Sequence, residues 1–388
     1  MRLAVISHKI CSADADSPSG FSAEGGFPLQ IAAISELFDQ TSLVVPCASR
    51  KKGGVTPIAG KQISVRRLSV PNGEGLSRKL ALPLWFFRNG KIIWREIKAS
   101  DAVHAPIPGD VGTIGFVFAL LQKKPLFVRY CGNWLVERTA AEKFWKWLME
   151  RVAGGRNVML ATGGTNEAPS RKNPHIKWIF STSMRRKEIE NAAPRELPAN
   201  GEIRLIIACR QEPGKGTGKL IESLPMILRK FPNAALDVVG GGSLLGELRK
   251  LAERGGVGGK VRFHGNVRRS EVINLMQKAH VFCFPTASEG FPKAVLEALA
   301  CGLPVVSTPV SVLPQLIAGG NGLLIEAATA GNIAAAVAKI CSDKENYRKM
   351  SECAIATARR YSLENWRDEI GDNLRRAWNV ANLSAAVL

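Results

Sequence analysis

No apolar run in this chain of 388 residues is long enough to cross a bilayer: the longest, Gly112 to Leu121, is about ten residues against the roughly 20 a transmembrane helix needs. The first residues, Met1 to Ser7, hold only a short apolar stretch before His8 and Lys9, so no secretory signal is expected. Cysteine never comes in pairs. Cys11, Cys47, Cys131, Cys209, Cys283, Cys301, Cys341 and Cys353 show no C-x-x-C spacing, which excludes the common zinc patterns and reads as reduced, cytoplasmic thiols. Also missing are an E-x-x-H metal motif, a nucleophile with an evident base, and any solenoid repeat or low-complexity tract. One formal D-x-D string, Asp14-Ala15-Asp16, precedes Ser17-Pro18-Ser19-Gly20 and reads as a solvated turn.

Acidic side chains are the scarce charge, 33 Asp and Glu against 53 Lys and Arg, for a net charge of +20. The excess is concentrated in residues 1–195, which carry 29 basic against 15 acidic side chains. Such a field favours an anionic partner, whether a nucleotide, a phospholipid surface, an acidic saccharide or nucleic acid, and charge alone does not choose among them. No RNA-binding or helix-turn-helix signature accompanies it, so nucleic acid is not the expected partner.

What is present is a globular composition, 46% hydrophobic and 22% charged, in a length that suits two domains. Short β-branched runs alternate with helical patterns at Leu3 to Ser7, Leu43 to Pro46, Ile63 to Leu68, Ala102 to Ala105, Leu126 to Tyr130, Asn157 to Ala161 and Trp178 to Ser181. A polar stretch, Asn191 to Glu202, follows, and the rhythm restarts at Ile203 to Cys209, Leu236 to Gly240, Val261 to Phe263, Val281 to Pro285, Pro304 to Ser307 and Gly322 to Ile325. Strands alternating with helices predict parallel sheets, hence an α/β chain with Rossmann-like domains at 1–195 and 196–362. Ligands in such sheets bind beyond the carboxyl ends of the strands. The helical segment 363–388 has no strand after it and is expected to pack back on the first domain.

The most informative stretch, His280 to Val306, reads as strand, loop, helix and strand. Pro292 suits the first helical turn, and Gly302 with Pro304 ends the helix. Backbone donors from Gly290 to Val295, at the positive end of the helix dipole, form a natural diphosphate site. Glu289 precedes the helix and Glu297 lies about two turns into it, placing the carboxylates roughly 10 Å apart. Upstream, Arg210-Gln211-Glu212-Pro213-Gly214-Lys215-Gly216 sets two cations around one sharp turn.

Glu289 and Glu297, with the E-G-F-P sequence and the following A-x-A-x-G-x-P-V-V, reproduce the E-x7-E element of the retaining glycosyltransferases of family 4. The resemblance covers most of the second half, but the first half only at Gly25 and Gly26 and diffusely over residues 101 to 134. It implies a GT-B fold, two Rossmann-like domains facing an interdomain cleft. It also implies that Glu297 binds the donor ribose, while Glu289 and the backbone around Gly290, Phe291, Pro292 and Lys293 hold the transferred sugar. Arg210 and Lys215 match the family's cations that neutralise the donor diphosphate, so no metal or other cofactor is expected. Gly265, Asn266 and Val267 fall where the family contacts the nucleobase, and Gly25 and Gly26 resemble its first, diphosphate-touching loop. His264, a lone loop histidine, is given no catalytic role. The chain departs from the pattern at Cys131, where many relatives carry histidine. Arg129 then reads either as a phosphate or acceptor contact or as a buried structural arginine. His104 reads as a cleft residue or as a strand cap.

The expected activity is retaining transfer of a hexosyl group from a UDP- or GDP-sugar to a saccharide or lipid-linked saccharide, in polysaccharide or lipopolysaccharide assembly. A nucleotide-binding scaffold without transferase activity is the rival reading. A nucleotide-sugar epimerase or phosphorylase on the same architecture would lack the pairing of Arg210 and Lys215 with Glu289 and Glu297. The stretches Trp85 to Arg95 and Phe144 to Leu148 interleave aromatic and cationic side chains. They read either as core helices or as a seat on the anionic inner face of the cell membrane.

Overall fold

Strands buried on both faces need unbroken apolar runs, and the chain supplies them: Leu205 to Ala208 and Val281 to Phe284 are all buried. The computed structural model describes residues 1–48, 55–73, 75–137, 139–165, 167–380 and 383. They form two units, one of Met1–Ser183 with Leu363–Leu388 and one of Met184–Ser362. The chain passes between them at Ser183 and Met184, ahead of the polar 191–202 stretch.

The first unit contains strands β1 (Arg2–Ile6), β2 (Cys11–Ala13), β3 (Phe21–Glu24), β4 (Gln40–Ala48), β5 (Val55–Pro57), β6 (Ile63–Leu68), β7 (Ala102–Ile107), β8 (Leu126–Tyr130), β9 (Asn157–Thr162) and β10 (Ile176–Ile179). Helices α1 (Phe27–Ser35), α2 (Gly75–Lys98), α3 (Asp110–Leu121) and α4 (Ala140–Val152) lie between them. The sheet order is β10-β9-β8-β7-β1-β4-β2-β3-β5, with β6 also on β4. Its main ladders are parallel, but β3 runs antiparallel to β2 and β5. The stretch between β1 and α1, read from sequence as a long loop, therefore contains two short strands.

The second unit contains α5 (Arg186–Glu190), β11 (Arg204–Ala208), α6 (Thr217–Lys230), β12 (Ala235–Val239), α7 (Leu245–Arg254), β13 (Val261–Gly265), α8 (Arg269–Lys278) and β14 (Val281–Phe284). It continues through α9 (Lys293–Ala300), β15 (Val305–Ser307), α10 (Leu313–Ile317), β16 (Gly322–Leu324), α11 (Ala330–Ile340) and α12 (Lys344–Arg360). Its parallel sheet has the order β13-β12-β11-β14-β15-β16.

After α12 the chain returns to the first unit as α13 (Leu363–Trp378). Leu363, Trp366, Ile370 and Leu374 recur at helical spacing and are buried with Ile34, Leu37 and Phe38 of the first unit. The expected helical segment ends at Trp378, and residues 381, 382 and 384–388 lie outside the described residues.

Candidate functional site

In the second unit the connections from β11 and β14 leave their shared edge in opposite directions, because β12 and β15 lie on opposite sides of that pair. Such a topological switch leaves a crevice past the carboxyl ends of the two strands. The loop after β11 carries Arg210 and Lys215, and the loop after β14 carries Glu289, so three of the expected site residues stand at this switch.

The structure brings two of them into contact. Lys215 Nζ donates to Glu289 Oε1, and both side chains are largely withdrawn from water, at 17% and 16% exposure. The ammonium also stands 6.0 Å from the Phe284 ring centroid. A charge pair so poorly solvated is held by mutual compensation, and removing one member leaves the other uncompensated. Arg210 is exposed on the same turn.

A side chain not singled out from sequence organises that turn. Gln211 is buried and donates through Nε2 to the carbonyls of Cys209 (3.0 Å) and Val239 (3.1 Å), while its Oε1 accepts from the Thr217 hydroxyl (2.7 Å). One amide thus ties the ends of β11 and β12 to the start of α6. Next to it, the Ser243 hydroxyl and amide donate to Glu212, and these bonds hold the Glu212 carboxyl below its ordinary pKa. Gly216 caps α6 at φ +77°, and a Cβ there would lie 2.1 Å from the Pro285 carbonyl oxygen. Only glycine, which has no Cβ, tolerates both that backbone and so close an approach. A cavity of about 450 Å³ opens beside the turn, walled by Gln211, Gly214, Gly216, Leu244, Leu248 and Ala287. Neither Lys215 nor Glu289 lines it, so their ion pair lies outside this cavity, whose charged lining comes instead from Glu212, Lys219, Glu222, Glu247 and Arg254.

The expected nucleobase loop is built into the next turn. Asn266 Oδ1 accepts from the Gly241 amide at 2.7 Å, and the Gly265 carbonyl accepts from the Gly240 amide at 2.8 Å. Val267 packs partly buried against the second unit's core. His264 turns inward, with Nε2 2.7 Å from the buried Asp237 carboxylate.

Helix α9 departs from the sequence reading in three ways. It begins at Lys293, so Pro292 is its N-cap instead of lying in the first turn, and Glu297 sits just over one turn in. The Lys293 and Val295 amides donate to the carbonyls of Phe291 (3.1 Å) and Pro292 (3.0 Å), which engages two of the amides expected to face a ligand. Gly290 is held instead through its carbonyl, by the Ser311 hydroxyl at 2.9 Å. Glu297 meets Arg269 of α8, whose Nε donates to its Oε1 at 3.1 Å. Sequence reasoning missed Arg269, although a cation at the start of a helix opposes the dipole and marks a position under some other demand.

In the first unit, Gly25 adopts φ +73° and Gly26 caps α1, its carbonyl accepting from the Gln30 amide at 3.1 Å. His104 is fully buried and stacks on Phe127 with ring centroids 3.9 Å apart. Burial, helped by the neighbouring Arg129 charge, holds its pKa well below the usual histidine range, so it is a neutral core residue. Arg129 is also buried; both terminal nitrogens donate to Gln30 Oε1 at 3.3 Å, and its guanidinium lies 4.8 Å from the Trp366 ring centroid. Arg129 is thus a buried arginine, with its Nε atom lacking a hydrogen-bond partner among the described residues. Cys131 is exposed. Asp14 is buried within its turn while Asp16 is exposed, so the D-x-D string is only half solvated. A smaller cavity, about 300 Å³, is walled by His8, Lys9, Ser12, Ala23, Glu24 and Arg78.

Helix α2 carries two apolar stripes. Trp85, Ile93 and Ile97 are buried against the sheet, whereas Leu80, Leu84 and Phe87 are 78%, 60% and 81% exposed. Phe144 and Trp147 of α4 are about half exposed as well. Arg88, Lys91 and Arg95 are exposed on α2. Among the described residues no helix is long and apolar enough to cross a membrane.

Comparison with known proteins agrees with the architecture. Residues 188–357 match the family described as Glycosyl transferases group 1. A GDP-mannose-dependent alpha-(1-6)-phosphatidylinositol monomannoside mannosyltransferase of Mycobacterium tuberculosis is 32% identical over 171 residues, 42% of this chain and 43% of that protein. The chain thus spans less than half the length of the curated relatives it matches. Among solved structures, Anabaena Alr3699/HepE in complex with UDP and glucose superposes with a TM-score of 0.71 at 17% identity, covering 97% of this chain and all of that one. Sucrose-phosphate synthase from Thermosynechococcus elongatus gives a TM-score of 0.73 at 17% identity, with 98% and 99% covered. Residues 188–357, less than half of the chain, thus resemble the glycosyl transferases group 1 family, and the fold is GT-B.

Proposed function

We propose that the chain is a retaining glycosyltransferase whose second unit binds a nucleotide diphosphosugar. The observation that carries this reading is the Lys215–Glu289 pair at the β11/β14 switch, inside the segment that matches the family. A donor diphosphate entering there offers Lys215 a new anionic partner and releases Glu289 to accept from sugar hydroxyls. Arg210 adds a second cation to the same phosphates. In this reading Glu297 binds the ribose and the Gly265 to Val267 loop lies beside the base, roles for which the resemblance is the support.

In the step itself the acceptor hydroxyl forms its bond to the anomeric carbon on the face from which the phosphate oxygen departs, and that oxygen takes the hydroxyl proton. Lys215 and Arg210 stabilise the charge that develops on the leaving diphosphate, which supports a reaction without a metal ion. The relatives' names point to GDP-mannose and UDP-glucose as donors to try first. The acceptor is a saccharide or lipid-linked saccharide, for which the polar walls of the cavity at His8, Lys9, Ser12 and Glu24 are suited. Bacterial polysaccharide or lipopolysaccharide assembly is the corresponding pathway class.

The exposed stripe of α2, with the aromatic residues of α4 and their basic neighbours, supports a peripheral seat on an anionic membrane at its cytoplasmic face. Calorimetric titration of UDP, GDP and ADP in EDTA, on the intact chain and on Glu297→Ala, tests the donor site. Selective binding of one nucleotide, weakened by the substitution, is expected. A folded sample that binds none of the three rejects the donor site and turns attention to a scaffold role.

A further inference from the structure

Arg269 joins three segments of the second unit. While Nε donates to Glu297 on α9, Nη1 donates to Glu188 Oε1 on α5 at 3.0 Å. The side chains of Glu297 and Arg269 are 13% and 25% exposed, so water screens their attraction weakly. Burial opposes the Arg269 charge, yet the Glu297 and Glu188 carboxylates outweigh it and raise the guanidinium pKa above its ordinary value.

A guanidinium is a rigid planar fork, so one that engages carboxylates on two helices fixes its own plane and the rotamers of both partners. Glu297 comes from the surface of α9 on a flexible stem, and a carboxylate that must meet ribose hydroxyls gains from being ordered before the ligand arrives. We propose that Arg269 is a positioning residue, which holds the Glu297 carboxylate in the orientation that recognises the ribose of the donor nucleotide, with Glu188 as its far anchor. The proposal rests on the reading that Glu297 meets the ribose.

Its signature is sugar discrimination within the nucleotide. An oriented, charged acceptor makes the loss of a ribose hydroxyl costly, and the intact chain is expected to prefer the ribonucleotide over its 2′-deoxy or 3′-deoxy form by about tenfold or more. The test titrates UDP and GDP and their 2′- and 3′-deoxy counterparts into the intact chain, Glu297→Gln, Arg269→Lys and Arg269→Gln, with circular dichroism and thermal melts to establish folding. Lysine keeps the charge but cannot reproduce the two-ended fork. The expected result is that Glu297→Gln abolishes the preference, and that Arg269→Lys reduces it to about threefold or less while binding of the deoxy form hardly changes.

Folded Arg269 variants that retain the full preference, or that weaken ribo and deoxy forms by one common factor, overturn the proposal while the donor reading stands. A preference that survives Glu297→Gln removes the ribose contact itself, and with it the basis for assigning Arg269.

Discussion

Lys215 and Glu289, 74 residues apart in the chain, meet at one ion pair between the loops that follow β11 and β14. Each is the other's counter-ion, so the diphosphate and sugar proposed to bind there would take over roles that the pair fills. Lys215→Met should therefore weaken binding of a nucleoside diphosphate by about 10- to 100-fold and leave binding of the bare nucleoside unchanged. Glu289→Gln should retain nucleotide affinity and lose about 100-fold in transfer rate. Isothermal titration and an assay of product formation read the two effects separately; a Lys215→Met chain that binds as tightly as wild type rejects the role.

Gln211 closes three hydrogen bonds at the base of that turn. Gln211→Leu leaves two carbonyls without this donor and the Thr217 hydroxyl without its acceptor. We expect a loss of about 2 kcal/mol in stability, with nucleotide binding weakened alongside it. Chemical denaturation of the variant checks the first effect, and an unchanged midpoint contradicts the assigned role.

His280 supplies a pH dependence. Its Nδ1 accepts from the Arg204 amide at 2.9 Å, which requires the neutral ring, and burial together with the charges of Arg195 and Arg204 lowers its pKa to about 4. Because the folded value lies below the unfolded one near 6.5, the contribution is complete above that pH and is lost as the pH falls towards 4. After allowance for its partial exposure, the loss is about 2 kcal/mol. His280→Asn keeps an acceptor without the titration. Urea melts between pH 7 and 4 should show the variant losing less stability than wild type, and parallel curves count against this account.

The outward stripe of α2 predicts a salt-sensitive association. Vesicles rich in anionic lipid should carry the chain upward in flotation at low salt and release it at moderate salt. Replacing Leu84, Phe87 and Trp147 by serine removes apolar insertion and should lower the bound fraction about tenfold or more, with charge unchanged. A wild-type chain that stays in solution under all these conditions removes the membrane seat.

Much of the second unit was legible because its strands are unbroken apolar runs and Glu289 and Glu297 stand at a fixed interval in one chain segment. What was hidden depended on partners distant in sequence. Arg269 looks like one basic residue among others until folding sets it between Glu188 and Glu297. Gln211 reads as a polar loop residue, although the carbonyls it satisfies belong to the ends of two different strands. In the first unit, Cys11–Ala13 and Phe21–Glu24 are too short to show a strand period, and they gain their form from each other and from β4 and β5. The start of α9 was misplaced because Pro292 is equally at home as a cap or in a first turn, and only the observed amide bonds separate the two.

The second unit is one continuous stretch, whereas the first needs α13, made after it, to cover α1, β9 and β10. As the chain emerges during synthesis, the second unit has all its strands available before Trp366 exists to close the earlier hydrophobic surface over Leu37 and Phe38. The earlier half can close the core beneath α2, α3 and α4 at once, but its other core waits for the last helix, so the first unit to begin is the last to be completed.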